Sequence, residues 1–115
     1  MSSLISNPSL GGAESLAHPA TAEIELAGVL QALSDPMRLR IVMALRAGDE
    51  LSCKSIDLPV VKSTCTHHFR VLREAGVIRQ RLEGTSRLNS LRRRDLDTRF
   101  PGLLDAVLGA LRDRD

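Results

Sequence analysis

Aromatic residues are nearly missing from this sequence of 115 residues: it has no tryptophan and no tyrosine, and its two phenylalanines are Phe69 and Phe100. Proteins that bind single-stranded nucleic acid stack its bases on aromatic side chains, so the composition disfavours that class of protein. The chain also has no run of about 18 apolar residues, the length that a transmembrane helix requires. We therefore expect no membrane-spanning segment.

Cysteine is scarce as well, because Cys53 and Cys65 are the only two in the chain. Two cysteines without an export signal argue against a disulfide scaffold and for a reducing compartment. The N-terminus lacks a basic region followed by an apolar block, so we expect no secretory signal. Length and composition together predict one small soluble domain in the cytoplasm.

The charges are distributed unevenly along the chain. Residues 1–35 contain four acidic residues and neither lysine nor arginine. The segment from Lys62 to Arg94 contains nine basic and two acidic residues, which gives it a net charge of +7. Such a segment in a chain with an overall charge of only +2 indicates a polyanionic partner. A solvated basic surface is the alternative interpretation.

The predicted domain is mainly α-helical. Residues 1–20 are rich in serine, glycine, alanine and proline and show no apolar period, so they are predicted to form a flexible tail before a domain over residues 21–115. Apolar residues at spacings of three and four predict about five helices in that domain. The helices are expected to begin at Thr21, Pro36, Leu51, Ser63 and Pro101. Asp35 is the expected N-cap of the second helix, and Gly76 ends the fourth.

After Gly76 the apolar period changes from helical to two. Ile78, Gln80 and Leu82 alternate with arginines, and a second short segment follows the loop at Glu83–Ser86. Two short strands around a loop that contains glycine predict a β-hairpin. Two short helices joined by a turn and followed by a basic hairpin describe a winged helix-turn-helix.

The helix that opens at Ser63 has two different faces. At about 100° per residue, one side carries the cluster Cys65, His68, Phe69 and Leu72. We expect Cys65 to be a core residue and His68 a hydrogen-bonded, half-buried one. The opposite polar side fits the major groove of double-stranded DNA, and arginines beside the hairpin tip fit the adjacent backbone or minor groove. The predicted DNA-contacting residues are Lys62, Ser63, Thr64, Thr66, His67, Arg70, Arg81 and Arg87.

Three segments carry a family resemblance. LSDPMRLRI at Leu33–Ile41, the helix and its end at Lys62–Ile78, and RLEG at Arg81–Gly84 resemble the matching motifs of ArsR-type (arsenic-repressor-like) winged helix-turn-helix regulators. The resemblance covers about residues 23–111. It implies a homodimeric transcriptional repressor that leaves its operator when a signal arrives. The sequence identifies no inducing signal.

The metal ligands of that family are not matched. The arsenic-type site resembles ELCVCDL, whereas this chain has ELSCKSI at Glu50–Ile56, with Ser52 and Lys54 where the thiolates should be. The zinc-type site needs aspartate and histidine on the final helix, and only Asp105 is present there. Since soft metals need two to four convergent ligands, we expect neither a metal site nor a cofactor.

Apolar stripes on the first and last helices predict a homodimer. Exposed patches of this kind mark interfaces, and the resemblance places these helices at a two-fold axis. The expected interface consists of Leu26, Val29, Leu30, Leu104, Val107, Leu108 and Leu111. Each subunit would then present one recognition helix, the helix that opens at Ser63. Two such helices about 34–36 Å apart would require a pseudo-palindromic operator.

Other functions remain as alternatives at this point. The chain has no glycine-rich phosphate loop, nucleophile elbow or paired-carboxylate motif, so we expect no enzyme. A winged-helix module for protein–protein interaction is one alternative, and a thiol-based redox sensor that uses Cys53 and Cys65 is another. The run Arg92–Arg94 either contacts DNA or pairs with Asp95 and Asp97.

Overall fold

The computed structural model describes residues 16–113. Most of the predicted tail, residues 1–15, lies outside the described residues. His18 Nε2 accepts a hydrogen bond from the backbone N–H of Gln80 at 3.0 Å, and Arg92 donates to the Pro19 carbonyl at 2.7 Å. Residues 18 and 19 therefore contact the domain, although the sequence predicts a tail up to residue 20. No helix within residues 16–113 has the length and apolar character needed to cross a membrane.

Five α-helices and three strands form the described part of the chain. A 3-10 turn at Thr21–Glu23 precedes the first helix. The helices are α1 (Leu26–Ala32), α2 (Pro36–Ala44), α3 (Lys62–Ala75), α4 (Arg93–Arg99) and α5 (Leu103–Asp113). α1 and α2 both pack on α3, and α5 packs against α2 and α4.

The start of α2 follows the expected capping chemistry. The side chain of Asp35 accepts hydrogen bonds from the backbone N–H groups of Met37 at 2.7 Å and Arg38 at 3.3 Å. Pro36 occupies the first helical position, where a missing N–H costs nothing. Burial opposes ionisation of Asp35, but these two hydrogen bonds and the nearby positive charge together hold the pKa of Asp35 below its ordinary value.

The prediction of a helix that begins at Leu51 is wrong. Leu51–Ser52 instead form a strand, β1, and Cys53–Ser55 form a 3-10 turn. The side chain of Ser52 accepts from the backbone N–H of Ser55 at 3.2 Å, which closes this single turn. The sequence also missed α4, because Leu96 is its one buried residue and no apolar stripe marks it.

The hairpin is confirmed and belongs to a three-stranded antiparallel sheet. β2 (Ile78–Glu83) and β3 (Ser86–Leu91) are joined through Gly84, and the strand order is β1-β3-β2. Arg81 lies opposite Leu88, and Leu82 lies opposite Arg87. Because successive side chains of a strand point to opposite faces, Arg81 and Arg87 lie on different faces of the hairpin.

The core lies between the helices and the inner face of the sheet. Ile41, Val42, Leu72, Val77 and Ile78 are completely buried in it. It also contains three of the residues predicted at the dimer interface, namely Val29, Leu104 and Leu108. The interface prediction is therefore corrected, because these three side chains are covered by their own chain. Leu26 and Leu30 are about half exposed, and Val107 and Leu111 are partly buried.

Candidate nucleic-acid interface

α3 presents its polar side to solvent and its apolar side to the core. Phe69 and Leu72 are buried and hold the helix on the domain. The exposed residues of its first three turns are Lys62, Ser63, Thr64, Thr66, His67 and Arg70. The structure thus places all six predicted DNA-contacting residues of this segment on one exposed helix.

The N-terminus of α3 has no side-chain cap. The helix begins at Lys62, one residue before the predicted start at Ser63, and Val61 is its N-cap. The side chain of valine cannot accept a hydrogen bond, and the first N–H groups of a helix have no partner within it. Together with the positive end of the helix dipole, these groups favour an anion such as a DNA phosphate.

One arginine connects α3 to the two helices before it. Arg38 in α2 donates to His68 Nδ1 at 3.1 Å and to the Ala32 carbonyl of α1 at 2.6 Å. A guanidinium only donates, so His68 Nδ1 accepts and its proton is on Nε2, which lies 4.0 Å from Asp35. His68 is therefore hydrogen-bonded, as the sequence predicts, but it is buried rather than half-buried. The sequence did not assign this role to Arg38.

A basic cleft separates α3 from the hairpin. Its volume is about 330 Å³, and Phe69 and Gln80 contribute to its lining. Three cations line it: Lys62 from α3, Arg87 from β3 and Lys54 from the 3-10 turn. The predicted DNA-contacting residues do not include Lys54, because nothing local in the sequence shows that its turn lies beside α3. The cleft brings Arg87 together with the predicted α3 residues.

Arg81 lies outside this group. It is on the other face of the hairpin, where Glu50 accepts from its Nε and Nη2, both at 2.8 Å. Glu83 adds a second carboxylate 3.1 Å from Nη2. Hydrogen bonding to Glu50 raises the pKa of Arg81, and the same contact lowers the pKa of Glu50.

Buried polar side chains fasten the sheet to α3. Arg73 of α3 donates to Gln80 Oε1 at 2.8 Å, and Gln80 Nε2 donates to Asn89 Oδ1 at 2.7 Å. Asn89 in turn donates to the Leu51 carbonyl at 3.1 Å. Because all three strands and α3 share this chain of hydrogen bonds, the hairpin has a defined orientation relative to α3.

The run Arg92–Arg94 divides into different roles. Arg92 is buried and donates to Asp95 Oδ2 at 2.9 Å. Arg93 pairs with Asp97 at 3.6 Å and also with Asp105. Arg94 is exposed. The pairing interpretation therefore holds for the first two arginines.

Cys53 and Cys65 are both free thiols that line one pocket of about 370 Å³. Asn89 Nδ2 lies 3.4 Å from Cys53 Sγ. Burial raises the pKa of Cys65, and the nearby Cys53 raises it further, so little of Cys65 is thiolate at neutral pH.

Among residues 16–113, no group of three or more histidine, cysteine, aspartate or glutamate side chains is placed to hold a metal ion.

Comparisons with known proteins agree on the kind of domain. The family described as "Helix-turn-helix domain" matches residues 33–81. The uncharacterized HTH-type transcriptional regulator YceK of Bacillus subtilis is 38% identical over 84 residues, which cover 70% of this chain and 84% of that protein.

Solved structures extend the likeness beyond residues 33–81 to most of the chain. An ArsR-like transcriptional regulator from Rhodococcus sp. RHA1 has a TM-score of 0.58 at 28% identity, over 83% of this chain and 89% of the other. The transcriptional repressor BigR from Xylella fastidiosa has a TM-score of 0.53 at 27% identity, over 65% of this chain and 85% of the other.

Proposed function

Because the chain belongs to the ArsR-type family of winged helix-turn-helix transcriptional regulators, we propose that it represses transcription by binding a pseudo-palindromic operator as a homodimer. The family consists of DNA-binding regulators, not enzymes. The observation that carries the proposal is the exposed polar face of α3 beside a cleft lined by Lys54, Lys62 and Arg87. The repressor role is supported by the similarity to the Xylella fastidiosa repressor.

Base reading is assigned to the exposed side of α3. Arg70 and His67 lie one turn or more inside the helix, where side chains reach base edges in the major groove. Arginine donates two parallel hydrogen bonds to guanine, so Arg70 is the principal specificity residue of the proposal. Ser63 and Thr66 hydroxyls accept or donate to bases on the same side.

Phosphate binding is assigned to the start of α3 and to the cleft. Lys62 and Thr64 lie at the uncapped helix N-terminus, where N–H groups and the helix dipole both favour an anion. Arg87 and Lys54 add positive charge across the cleft. Contacts of this kind orient the protein on DNA without reading its sequence.

The homodimer is assigned to the apolar side chains that remain exposed in one chain. Leu26 is 46% and Leu30 47% exposed on α1. Val107 and Leu111 on α5 are partly covered. A second copy that covers these side chains would place two α3 helices about 34–36 Å apart, which is one turn of DNA.

Selection of bound sequences from a random pool of double-stranded DNA tests the function. We expect an inverted repeat, and in vitro transcription from a promoter that overlaps it should fall as protein is added. A pool that yields no preferred sequence would contradict sequence-specific binding and favour the protein–protein module. Preferred DNA without an inverted repeat would contradict the dimeric arrangement.

Arg70→Ala tests the reading face on the selected operator. We expect a loss of about 1–3 kcal/mol in binding free energy, because a bidentate base contact is removed. Arg40→Ala, an exposed arginine on α2, removes the same charge outside the proposed DNA-binding and dimer surfaces and should bind almost as well as the wild type. Fluorescence anisotropy with labelled operator measures both. Unchanged affinity for Arg70→Ala and for His67→Ala would overturn the assignment.

A further inference from the structure

The three arginines of the hairpin differ in their acidic partners. Arg79 lies 3.6 Å from Asp95, a carboxylate that Thr21 and Arg92 also bind. Arg87 has no ion pair among residues 16–113. Arg81 is the intermediate case, because both Glu50 and Glu83 contact it, and Glu50 pairs with no other cation in this range.

Glu50 reaches Arg81 from a distant part of the chain. Leu51 pairs with Asn89 in β3, so Glu50 enters the sheet at the edge opposite to β2. Its carboxylate extends across β3 to the guanidinium on the outer face. Both oxygens accept at 2.8 Å, one from Nε and one from Nη2. A phosphate uses the same two-oxygen geometry on arginine.

We propose that Glu50 is an internal competitor of a DNA phosphate at Arg81, so that the hairpin gains this phosphate contact only when Glu50 releases the guanidinium. The proposal rests on the DNA-binding function above. It makes Glu50 a residue that weakens DNA binding without touching DNA. In the protein without DNA, the ion pair with Glu50 therefore opposes the predicted role of Arg81, which is to contact DNA.

The pair has the properties that such competition requires. The side chains of Arg81 and Glu50 are 50% and 40% exposed, so solvent screens the pair and a phosphate can replace the carboxylate. The pKa of Glu50 is lowered by Arg81, and the carboxylate is therefore ionised at neutral pH. Arg81 is three residues before Gly84, where the hairpin turns, and the proposed function requires the basic hairpin to face the DNA backbone.

A double-mutant cycle with the full-length protein tests the proposal. Glu50→Gln, Arg81→Gln and the double variant are compared with the wild type by anisotropy on the selected operator over a range of salt concentrations. We expect Glu50→Gln to bind more tightly and its plot of log affinity against log salt to steepen by roughly 0.9, the value for one added phosphate contact. In the Arg81→Gln background, Glu50→Gln should change neither quantity.

Asp49→Asn is the matched control, because it removes one negative charge from the neighbouring exposed position. The same gain from Asp49→Asn, or from Glu50→Gln in both backgrounds, would show general repulsion of DNA and overturn the proposal. Weaker binding by Glu50→Gln would show that the ion pair holds the hairpin in its binding position, which also overturns it. Absence of operator binding by the wild type would instead reject the proposed function itself.

Discussion

Asp95 joins three parts of the chain through one carboxylate. Thr21 Oγ1 donates to Oδ1 at 2.8 Å, and Arg92 Nε donates to Oδ2 at 2.9 Å. Arg79 of β2 lies 3.6 Å away. The hydrogen bond from Thr21, together with Arg92 and Arg79, outweighs burial and holds the pKa of Asp95 below its ordinary value. The turn before α1, the edge of the sheet and α4 therefore depend on one ionised residue.

Asp95→Asn should destabilise the domain by about 1.5–3 kcal/mol, the range for hydrogen bonds to charged groups. Since the folded-state pKa is depressed, this stabilisation is present above the unfolded value near 3.8 and is lost as pH falls through the folded value. Urea unfolding between pH 7 and pH 3 measures both effects. The wild-type advantage over the variant should shrink below about pH 4.

Asp57→Asn is a suitable control, because Asp57 is exposed and forms no ion pair within the described range. We expect it to unfold at nearly the wild-type urea concentration. Equal destabilisation by the two variants, or a constant difference between wild type and Asp95→Asn over the whole pH range, would refute this account of Asp95.

α3 is held at its C-terminal end by close packing of the Ile24 side chain on the backbone of Gly76. Gly76 follows the helix with φ +87°, in the left-handed region. A Cβ at this position would lie 2.6 Å from Ile24 Cγ1, in the segment just before α1. Val77 N–H then bonds to the Leu72 carbonyl at 2.9 Å as the chain turns into β2. The same glycine thus ends the recognition helix and fits it against the core.

Gly76→Ala should lower the free energy of unfolding by more than the roughly 1–2 kcal/mol that a left-handed backbone costs an L-residue. The excess arises from the contact with Ile24, which must move. Gly48→Ala is a matched comparison, because Gly48 has φ +92° and a Cβ there would meet nothing within 4 Å. Chemical denaturation of both variants gives the difference, and equal losses would show that Ile24 yields without cost.

At the scale of the whole molecule, the basic cleft and the exposed leucines lie on different elements. The cations beside the cleft are on α3, β3 and the 3-10 turn, whereas the exposed leucines are on α1. This separation allows one surface to face DNA while another faces a second copy. It also agrees with the two-fold arrangement that a pseudo-palindromic site requires.

Leu30→Glu should convert the proposed dimer into a folded monomer that binds the operator weakly. Leu30 is 47% exposed, so the charge disturbs the core little but is costly in an apolar interface. Sedimentation velocity and circular dichroism measure assembly and folding separately. Ala47→Glu places the same charge on an exposed residue after α2 and should leave assembly unchanged. A Leu30→Glu protein that still sediments as a dimer would exclude α1 from the interface.

The sequence alone determined those features that neighbouring residues control. Asp35 and Pro36 begin α2 because a carboxylate and a fixed φ act within one helical turn. The helical period of the apolar residues put Phe69 inside and Arg70 outside on α3, and the change to a period of two found the hairpin around Gly84. These interactions span few residues, so their outcome depends little on the remaining fold.

Only the tertiary structure decided which distant partner each remaining segment meets. Leu51 joins a sheet because Asn89, far along the chain, offers a strand edge, and this pairing overrides the predicted helix. The register of β2 and β3 places Arg81 and Arg87 on different faces of the hairpin. Glu50 therefore accepts hydrogen bonds from Arg81 and not from Arg87. The same holds for Leu104, whose burial depends on the helices that cover it. Pairing, burial and ion-pair choice are set by proximity in space, which spacing along the chain does not specify.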